Sequence, residues 1–518
     1  MENAVFGIVK RMTGGNAEVA EICASAVANL EGGDVCRRLD EGELLLLSKE
    51  PEVVHIDDGE KLAEDVVKPF VVRGNLLYTR RNWQHERNVD ERIRRMAGNV
   101  MTSDITLPSD EFYSKLREEQ RRAVLAMCKS QFSILTGGPG TGKTHTIARA
   151  VKYLQEKNPN LRLALAAPTG KAAARMTESM MKAGVTAAPA TTIHALLGSR
   201  YDLVSFHYGR RNPLPVDWLI VDEASMIGMP LMSNLLDALP EECRLTLVGD
   251  VDQLASVERG HVFGDLCGMK DVSISRLTES TRFPQNGDIA RIAKAVNNNR
   301  SDEVMSILGV KGDKVSYTDL ARHSAIAHEG WSTFVKMCRE YFADFAKSKD
   351  PKTALERLND FRILCALRHG PYGAEQLNEF VKRLLGIACP LPMMITQNDR
   401  LQDVANGDVG VVMPDNPQYL HLPTASGVRA LRLELLPAME PAFATTIHKS
   451  QGSEFNDVAI VLPPDGDSPL LTREILYTGI TRTKGSVHLY AGKASIKACC
   501  SNAVERVTGL NLREIDRA

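Results

Sequence analysis

The sequence predicts an α/β fold of two tandem domains, each built around a parallel sheet. The first observation is a series of short apolar runs between residues 113 and 270, each followed by a Gly- or Asp-bearing turn and a helix-like segment. The second is that this alternation resumes at residues 361–368. Continuous apolar strands that alternate with helices are typical of parallel sheets covered on both faces. The length of 518 residues also allows about three to four domains.

The apolar runs set the predicted boundaries. We expect a small helical domain over 1–108 that contains a strand-like turn followed by a charged helix, α/β domains over 109–272 and 273–498, and a C-terminal tail over 499–518. The runs of the first α/β domain are FSILTG (132–137), LRLALAAP (161–168), DWLIVDE (217–223) and RLTLVGD (244–250). Those of the second are FRILCALR (361–368), DVAIVLP (457–463) and SVHLYAG (486–492).

Two small β inserts interrupt this pattern. Residues 199–216 alternate polar and apolar side chains around aromatics and then reach a Gly-Arg-Arg-Asn turn, which predicts a β-hairpin projecting from the first domain. Residues 404–440 contain short strand-like runs with Gly and Pro turns. They predict a small β-barrel or sheet within the second domain.

Composition excludes several classes of protein. Hydrophobic residues make up 43% and charged residues 25%, as in globular proteins rather than disordered or fibrous ones. The net charge of −2 excludes a histone-like polycation but not nucleic acid bound in a local groove. There is neither a membrane-length apolar run nor a signal-peptide pattern, so we expect a soluble cytoplasmic protein. Ten cysteines without a CxxC pair indicate reduced thiols in the cores.

A phosphate-binding motif follows the first predicted strand. GGPGTGKT (137–144) fits G-x-x-x-x-G-K-[ST] and lies between the strand FSIL and a helix-like segment. The glycines let backbone N–H groups close around phosphate oxygens. Lys143 is then expected to reach the β and γ phosphates, and Thr144 to offer its hydroxyl to Mg²⁺.

A second motif supplies the partner of this loop. In LIVDEAS (219–225) an apolar run delivers Asp222 and Glu223 to the carboxyl end of a strand. Asp222 is the candidate to hold Mg²⁺, and Glu223 the candidate to orient or deprotonate the attacking water. Together the two motifs predict hydrolysis of a nucleoside triphosphate. Small-molecule kinases, ring ATPases, transporters and helicases all share this chemistry.

Three further residues are candidates to act on the γ-phosphate. Gln253 follows a predicted strand in VGDVDQLASVERG (248–260), together with Asp250, and can sense that phosphate. Arg282 and Arg482, both assigned to the second α/β domain, can reach across a cleft. Their charge would neutralise the one that develops on the transferred phosphoryl group.

The order of the motifs resembles that of superfamily 1 helicases and, within them, the RecD family of exodeoxyribonuclease V (RecBCD) alpha subunits. The matching stretches are GGPGTGKT, AAPTGKAAAR (166–175), TTIHALLG (191–198), VDEASM (221–226), VGDVDQLASVERG, STRF (280–283), TTIHKSQGSEF (445–455) and YTGITRTK (477–484). The resemblance covers residues 115–495 well and 1–110 weakly. It implies two RecA-like P-loop domains, with the N-terminal domain docking on partner subunits.

The resemblance also assigns a set of ATP-binding residues. Gln120 is the candidate adenine reader, with an ordinary solvent-facing glutamine as the alternative, and Glu454 is the candidate ribose contact. The implied ATP contacts are Gln120, Gly137, Gly138, Pro139, Gly140, Thr141, Gly142, Lys143, Thr144 and Glu454.

DNA contacts are implied in three of the matching motifs. The candidates are Thr169, Lys171, Thr191, His194, Thr446, His448 and Ser450. The alternative for the threonines is a hydroxyl bonded to local backbone. By the same resemblance, the hairpin is the strand-separating pin, with Phe206 and Tyr208 available to stack on bases; a plain surface hairpin is the alternative.

The functional prediction is an ATP- and Mg²⁺-dependent DNA translocase. The resemblance alone implies that it moves 5′ to 3′ along single-stranded DNA. The resemblance implies a RecD-type subunit acting with RecB- and RecC-like proteins on DNA ends in double-strand break repair and recombination. No nuclease site is expected, because no carboxylate and lysine cluster stands outside the ATPase motifs. The alternatives are a stand-alone RecD-like helicase, a regulatory ATPase subunit that does not move, and a nuclease in its own right.

Overall fold

The fold was analysed on a computed structural model of the chain. It describes residues 2–57, 68–102, 105–185, 187–199, 205–284, 287–310, 312, 314–320, 329–386, 390–399, 401–424 and 427–510.

The N-terminal region mixes helices with a small sheet. Its helices are α1 (Glu2–Met12), α2 (Ala17–Asn29), α3 (Glu41–Ser48) and α4 (Arg80–Ala97), and its strands are β1 (Arg37–Arg38), β2 (Val54–Ile56), β3 (Phe70–Arg73) and β4 (Leu76–Thr79). The strands pair in the order β1-β4-β3-β2. The prediction of a helical domain is therefore wrong in part. Strands β1 and β2 have only two and three residues, too few to show an alternating pattern.

The first α/β domain confirms the predicted parallel sheet. Its six strands pair in the order β10-β5-β9-β8-β6-β7, all parallel. They are β5 (Phe132–Gly137), β6 (Leu163–Ala167), β7 (Thr191–Thr192), β8 (Trp218–Val221), β9 (Arg244–Gly249) and β10 (Ser273–Leu277). Its helices are α5 (Glu111–Ser114), α6 (Glu118–Lys129), α7 (Lys143–Lys157), α8 (Gly170–Lys182), α9 (Ile193–Leu196), α10 (Met229–Asp237) and α11 (Val262–Gly268).

The boundary expected between residues 272 and 273 is wrong. Strand β10 pairs with β5 from Ser273 opposite Ser133 to Leu277 opposite Gly137, so it belongs to the first domain. It lies at the edge of the sheet, and three of the five residues in its sequence SISRL are polar. An edge strand of this kind lacks the continuous apolar run by which the other strands were located.

The second domain has its own parallel sheet, in the order β11-β20-β19-β12-β18. The strands are β11 (Val315–Asp319), β12 (Phe361–Cys365), β18 (Ala444–Thr446), β19 (Asp457–Val461) and β20 (Val487–Ala491). Its helices are α12 (Asp288–Asn297), α13 (Ser301–Leu308), α14 (Glu329–Tyr341), α15 (Ala343–Ala346), α16 (Pro351–Leu358), α17 (Ala374–Leu385), α18 (Arg473–Thr481) and α19 (Lys493–Ser501).

The insert of the second domain is an antiparallel sheet that is longer than predicted. Its strands pair in the order β16-β15-β14-β13-β17. They are β13 (Leu391–Ile395), β14 (Val409–Met413), β15 (Asn416–Thr424), β16 (Gly427–Arg432) and β17 (Met439–Pro441). The sheet thus spans 391–441 rather than 404–440, because β13 precedes the glycine-bearing segment that marked the insert in the sequence.

The predicted hairpin is described only in part, since residues 200–204 fall outside the described ranges. Two isolated antiparallel bridges join Ser199 to Phe206 and Gly209 to Asn212. Phe206 and Tyr208 are half-buried and pack against the core of the first domain. In this structure the two aromatic rings therefore contact protein.

The described part of the C-terminal segment, residues 499–510, packs against the protein rather than forming a free tail. Helix α19 runs through the predicted boundary at 499, and residues 502–510 then return to the N-terminal region. Val35 N–H donates to Val507 O at 3.1 Å, and Gly509 N–H donates to the carboxylate of buried Glu86 at 2.9 Å. Leu510 joins a core that the N-terminal region shares with the first α/β domain. The expected tail over 499–518 is therefore corrected for the part that is described.

The described residues also bear on membranes and thiols. Among them, no helix is both long enough and apolar enough to cross a bilayer. Nine cysteines are described, and each is buried and free of disulfide bonds. Burial raises the pKa of Cys23 and of Cys128 to about 12, so these thiols stay protonated at neutral pH.

Candidate nucleotide site and DNA-facing surface

The phosphate-binding loop lies between β5 and α7, as predicted. Gly140 and Gly142 have φ of +76° and +89°, a left-handed conformation that favours glycine. A Cβ atom on Gly142 would lie 2.6 Å from Gln120 Nε2. The Lys143 ammonium donates to the carbonyl oxygens of Gly137 at 2.6 Å and Gly138 at 3.2 Å. The loop backbone thus binds the Lys143 ammonium within the turn that the loop forms.

Strand β8 delivers the two predicted carboxylates beside this loop. Glu223 has a φ of +51°, which is uncommon outside glycine and concentrates at functional sites. Its N–H donates to Asp222 Oδ1 at 2.9 Å. Burial and the charge of Glu223 raise the pKa of Asp222 to about 6, against the opposing charge of Lys143. The strained turn therefore fixes both carboxyl groups at the carboxyl end of the sheet.

One cavity of about 180 Å³ gathers residues from both α/β domains. It contains all six predicted catalytic residues, namely Lys143, Asp222, Glu223, Gln253, Arg282 and Arg482, together with Pro139, Gly140, Thr141, Gly142, Thr144 and Glu454 of the predicted ATP contacts. His145, Ala172, Arg175, Met176 and Ser179 also line it and were missed. A carboxylate and a hydroxyl, from Asp222 and Thr144, are oxygen ligands of the kind that Mg²⁺ prefers.

A buried network crosses between the domains at this cavity. Arg482 Nη2 donates to Gln253 Oε1 at 2.7 Å, and Gln253 Nε2 donates to Asp250 Oδ2 at 2.9 Å. From the second domain, the Tyr477 hydroxyl donates to Asp250 Oδ2 at 3.1 Å. Arg482 and Asp250 are 2% and 1% exposed. The predicted phosphate sensor and the predicted arginine are thus joined directly.

Arg282 occupies a different position from the one expected. It follows β10, and its neighbours bond to the phosphate-binding loop: Thr281 N–H donates to Gly140 O at 2.9 Å and Ser280 Oγ to Pro139 O at 2.9 Å. Arg282 therefore reaches the cavity from the segment that leaves the first sheet and not across a cleft from the second domain. The misplaced boundary at 272 caused this error.

Glu454 is surrounded by positive charge. It forms ion pairs with Arg175, with Arg282 at 2.7 Å and with Lys484 at 3.8 Å. Burial opposes its ionisation, but the charges of Arg175 and Arg282 prevail and lower the pKa of Glu454 to about 2. The carboxylate predicted to contact ribose is thus bonded to two guanidinium groups in this structure.

Arg175 was the main omission, and a signal for it was present in the sequence. The cavity-lining residues Ala172, Arg175, Met176 and Ser179 are spaced at i, i+3, i+4 and i+7 along α8. That spacing places them on one face of a helix. Projecting the motif AAPTGKAAAR onto a helix would therefore have placed Arg175 on the cavity-lining face.

Gln120 is buried rather than solvent-facing. Its Nε2 donates to Thr141 O at 3.2 Å, and its Oε1 accepts from Arg117 N–H at 3.2 Å. Gln120 therefore supports the back of the phosphate-binding loop. The cavity lining does not include Gln120, Gly137 or Gly138, and contact of Gln120 with adenine stays a prediction.

The predicted DNA contacts fall in both domains, at strand ends, in helices and at a helix cap. Thr191 lies on β7 beside β6, and the N-terminal cap of α8 is Thr169, whose hydroxyl accepts from Ala172 N–H at 3.3 Å. Lys171 is exposed, and its Nζ lies 5.9 Å from the centre of the Phe455 ring. The His194 ring lies 6.0 Å from that of Phe206.

The second-domain candidates differ in exposure. The Thr446 hydroxyl accepts from Lys449 N–H at 3.3 Å, and His448 is half-buried. Ser450 is 2% exposed and donates to Ile447 O at 2.7 Å. Ser450 therefore faces the protein interior here, whereas Thr446 and His448 are both partly exposed. Among the described residues, no group of three or more His, Cys, Asp or Glu side chains could hold a metal ion.

Two family profiles match the chain where the fold places these motifs. That of the AAA domain matches residues 120–259, and that of the UvrD-like helicase C-terminal domain matches residues 441–490. The Pif1 helicase from Bacteroides, solved in complex with ADP-AlF3 and ssDNA, is similar with a TM-score of 0.42 and 17% identity, covering 80% of this chain and 97% of that one.

Similar sequences extend over most of the chain. The RecBCD enzyme subunit RecD of Mycolicibacterium smegmatis is 35% identical, covering 96% of this chain and 94% of that protein. The same subunit of Haemophilus influenzae is 32% identical, with 86% and 81% covered. The ATP-dependent RecD2 DNA helicase of Deinococcus radiodurans is 32% identical, with 73% and 49% covered. The resemblance predicted from the motifs is thereby confirmed, and the chain belongs to the RecD family of superfamily 1 helicases.

Proposed function

We propose that the chain is an ATP-dependent DNA helicase that moves 5′ to 3′ along single-stranded DNA. In this proposal it is the RecD-type subunit of a helicase–nuclease that processes DNA ends in double-strand break repair and recombination. The observation that carries it is the cavity lined by both α/β domains, in which Arg482 of the second domain bonds Gln253 of the first.

The residues of the cavity have different roles in ATP hydrolysis. The N–H groups of the glycine-rich loop and Lys143 bind the phosphates, and Glu223 orients the attacking water. Asp222 and Thr144 would hold Mg²⁺, which when bound neutralises phosphate charge. Arg282 and Arg482 offset the charge that develops on the terminal phosphate in the transition state. All the side chains with a role here line the cavity, namely Lys143, Thr144, Asp222, Glu223, Arg282 and Arg482.

Movement along DNA follows if the two domains close on ATP and open after hydrolysis. Gln253 and Arg482 touch each other across the domain boundary, so a change at the phosphate alters how the domains fit together. Both domains carry candidate DNA contacts, among them Thr169 at the cap of α8, Thr191 on β7 and Thr446 on β18. Different affinities for DNA in the open and closed states would convert hydrolysis into steps.

The proposed partners are RecB- and RecC-like proteins and DNA ends. This part rests on the similar proteins of Mycolicibacterium smegmatis and Haemophilus influenzae, which are named as RecBCD subunits. Nuclease activity would belong to a partner subunit. The site of action would be the cytoplasm, where bacterial DNA is found.

Strand displacement by the purified chain tests the proposal. Duplexes with a 5′ or a 3′ single-stranded tail are supplied with ATP and Mg²⁺, and Lys143→Ala and Glu223→Gln serve as inactive controls. Unwinding from the 5′ tail alone supports a motor of the proposed direction that can act without partners. DNA-stimulated ATPase without unwinding supports a subunit that needs its partners.

Two results would count against the proposal. Unwinding from the 3′ tail would overturn the direction. Absence of any DNA-stimulated ATPase in the wild-type chain, both alone and with its partners, would overturn the motor function itself.

A further inference from the structure

A cationic cluster borders the nucleotide cavity. It consists of Arg175, Arg282 and Lys484 around the carboxylate of Glu454. Arg175 and Arg282 both contact Glu454 Oε1, and Lys484 Nζ lies 3.8 Å from Oε2. Arg175 and Arg282 line the cavity themselves. The cluster therefore brings two guanidinium groups to one carboxylate oxygen at the cavity wall.

The charges of this cluster are not balanced. Three cations face a single carboxylate, so a surplus of positive charge remains. The Glu454 side chain is 10% exposed, whereas that of Arg175 is 42% exposed and can change partner without leaving a deep core. A surplus of this kind beside a cavity favours an anionic ligand.

The backbone position of Arg175 is fixed independently of Glu454. It lies in the second turn of α8, whose first turn is capped by the Thr169 hydroxyl. Because it shares a helix face with Ala172, Met176 and Ser179, its side chain is directed to the cavity by helix geometry. The residue is thus held in place before any ligand arrives.

Arg175 also lies close to the carboxylates expected at the terminal phosphate. Partial burial opposes its charge, but Glu454 and then Glu223 and Asp222 raise the pKa of Arg175. Glu223 and Asp222 are the residues assigned to the attacking water and to Mg²⁺. Arg175 therefore shares the lining of one cavity with the two residues assigned to the terminal phosphate.

We propose that Arg175 contacts the terminal phosphate of a bound nucleoside triphosphate, exchanging the Glu454 carboxylate for phosphate oxygens. The planar guanidinium fork suits either partner, since carboxylate and phosphate both accept paired N–H···O bonds. The inference rests on the proposed function, because it takes the cavity to bind a triphosphate. It adds to Arg282 and Arg482 a third arginine, from the helix whose N-terminus carries the candidate DNA contacts Thr169 and Lys171.

Binding of ATPγS and of ADP to the full-length chain tests this assignment. The variants are Arg175→Ala and Arg175→Lys, and Lys182→Ala is the matched control. Lys182 lies on the same helix, is 74% exposed and pairs with Glu178 away from the cavity lining. Arg175→Ala should weaken ATPγS binding about tenfold or more and leave ADP binding within about twofold, since one charge-assisted contact is lost.

Arg175→Lys should recover part of the preference for ATPγS, because the charge remains but the fork is lost. Lys182→Ala should bind both nucleotides as the wild type does. Equal weakening of ATPγS and ADP in Arg175→Ala would overturn the inference, because it would indicate general damage to the cavity. If Arg175→Ala left the ratio of the ATPγS and ADP affinities unchanged, the inference would also be overturned, but the proposed function would remain. A wild-type chain that binds neither nucleotide would overturn both.

Discussion

Two sets of polar contacts join the α/β domains beside the same cavity, and they differ in burial and in charge balance. In the buried network of Tyr477, Asp250, Gln253 and Arg482, each group has a partner and the exposed fractions are 6% or less. In the cationic cluster, one carboxylate serves three cations, and two of these are 42% and 53% exposed. The difference teaches that the buried network fixes the positions of its side chains, whereas the cationic cluster has a surplus of positive charge that can bind an anionic ligand.

Arg482→Ala should break the buried network with the largest effect. We expect kcat for ATP hydrolysis to fall about a thousandfold or more, because an arginine of this type acts mainly on the transition state. Steady-state kinetics and ATPγS binding on the same preparation measure it. The comparison between the two sets fails if ATPγS affinity collapses while turnover persists.

Glu454→Gln should affect the cationic cluster more mildly. It leaves Arg175 and Arg282 facing each other without a carboxylate, and we expect a loss of about 1–2 kcal/mol in the free energy of unfolding, reduced by solvent exposure of the partners. Urea unfolding without nucleotide is the measurement. Lys182→Ala, an exposed change on α8, should leave the free energy of unfolding nearly unchanged.

The difference in unfolding free energy between the wild type and Glu454→Gln should also depend on pH. Because the folded pKa of Glu454 is lowered to about 2, its ionised form stabilises the fold above its ordinary pKa, and this stabilisation is lost as the pH falls toward 2. The difference in unfolding free energy between wild type and Glu454→Gln should be constant from pH 7 to about pH 5 and shrink below about pH 4. A difference that changed between pH 7 and pH 6 would contradict this assignment.

Tyr477→Phe should have the smallest effect. It removes one of the hydrogen bonds to Asp250, which still accepts from Gln253 Nε2 and from Asp252 N–H at 3.2 Å. We expect about 1 kcal/mol less stability, with ring packing retained. Differential scanning calorimetry should show a shift of a few degrees, whereas a loss as large as that of Arg482→Ala in kcat would show that the hydroxyl does more than hold Asp250.

The sequence predicted best where chemistry and local geometry are encoded in one continuous stretch. GGPGTGKT and LIVDEAS each contain a strand end, a turn and the reacting groups, so Lys143, Asp222 and Glu223 fell where expected. The pairing of Arg175 with Glu454 was not predictable in this way. It depends on two side chains from different domains, and no local pattern records which partner a charged side chain will meet.

Prediction from the sequence was also limited for domain boundaries and for contacts between residues far apart in the chain. Strand β10 has three polar residues among five, as suits a sheet edge. The predicted boundary at 272 therefore separated it from its sheet and placed Arg282 in the wrong domain. Ser450 belongs to a motif associated with DNA, but its burial follows from tertiary packing that the motif does not specify. In both cases the residue type indicated the chemistry, but the sequence did not indicate which other residues would surround it.

The returning segment at 502–510 has a consequence for the order of folding. Glu86 is 1% exposed and accepts hydrogen bonds from Thr508 Oγ1 and Gly509 N–H, which follow it by more than 420 residues. A ribosome releases the N-terminal region long before these donors. Until residues 508 and 509 are made, the Glu86 carboxylate therefore lacks these two hydrogen bonds and is either hydrated or in a loosely packed core. Closing contacts over such a separation is slow. The N-terminal region is therefore synthesised long before its last hydrogen-bond donors, and chaperones would encounter it with these bonds unformed.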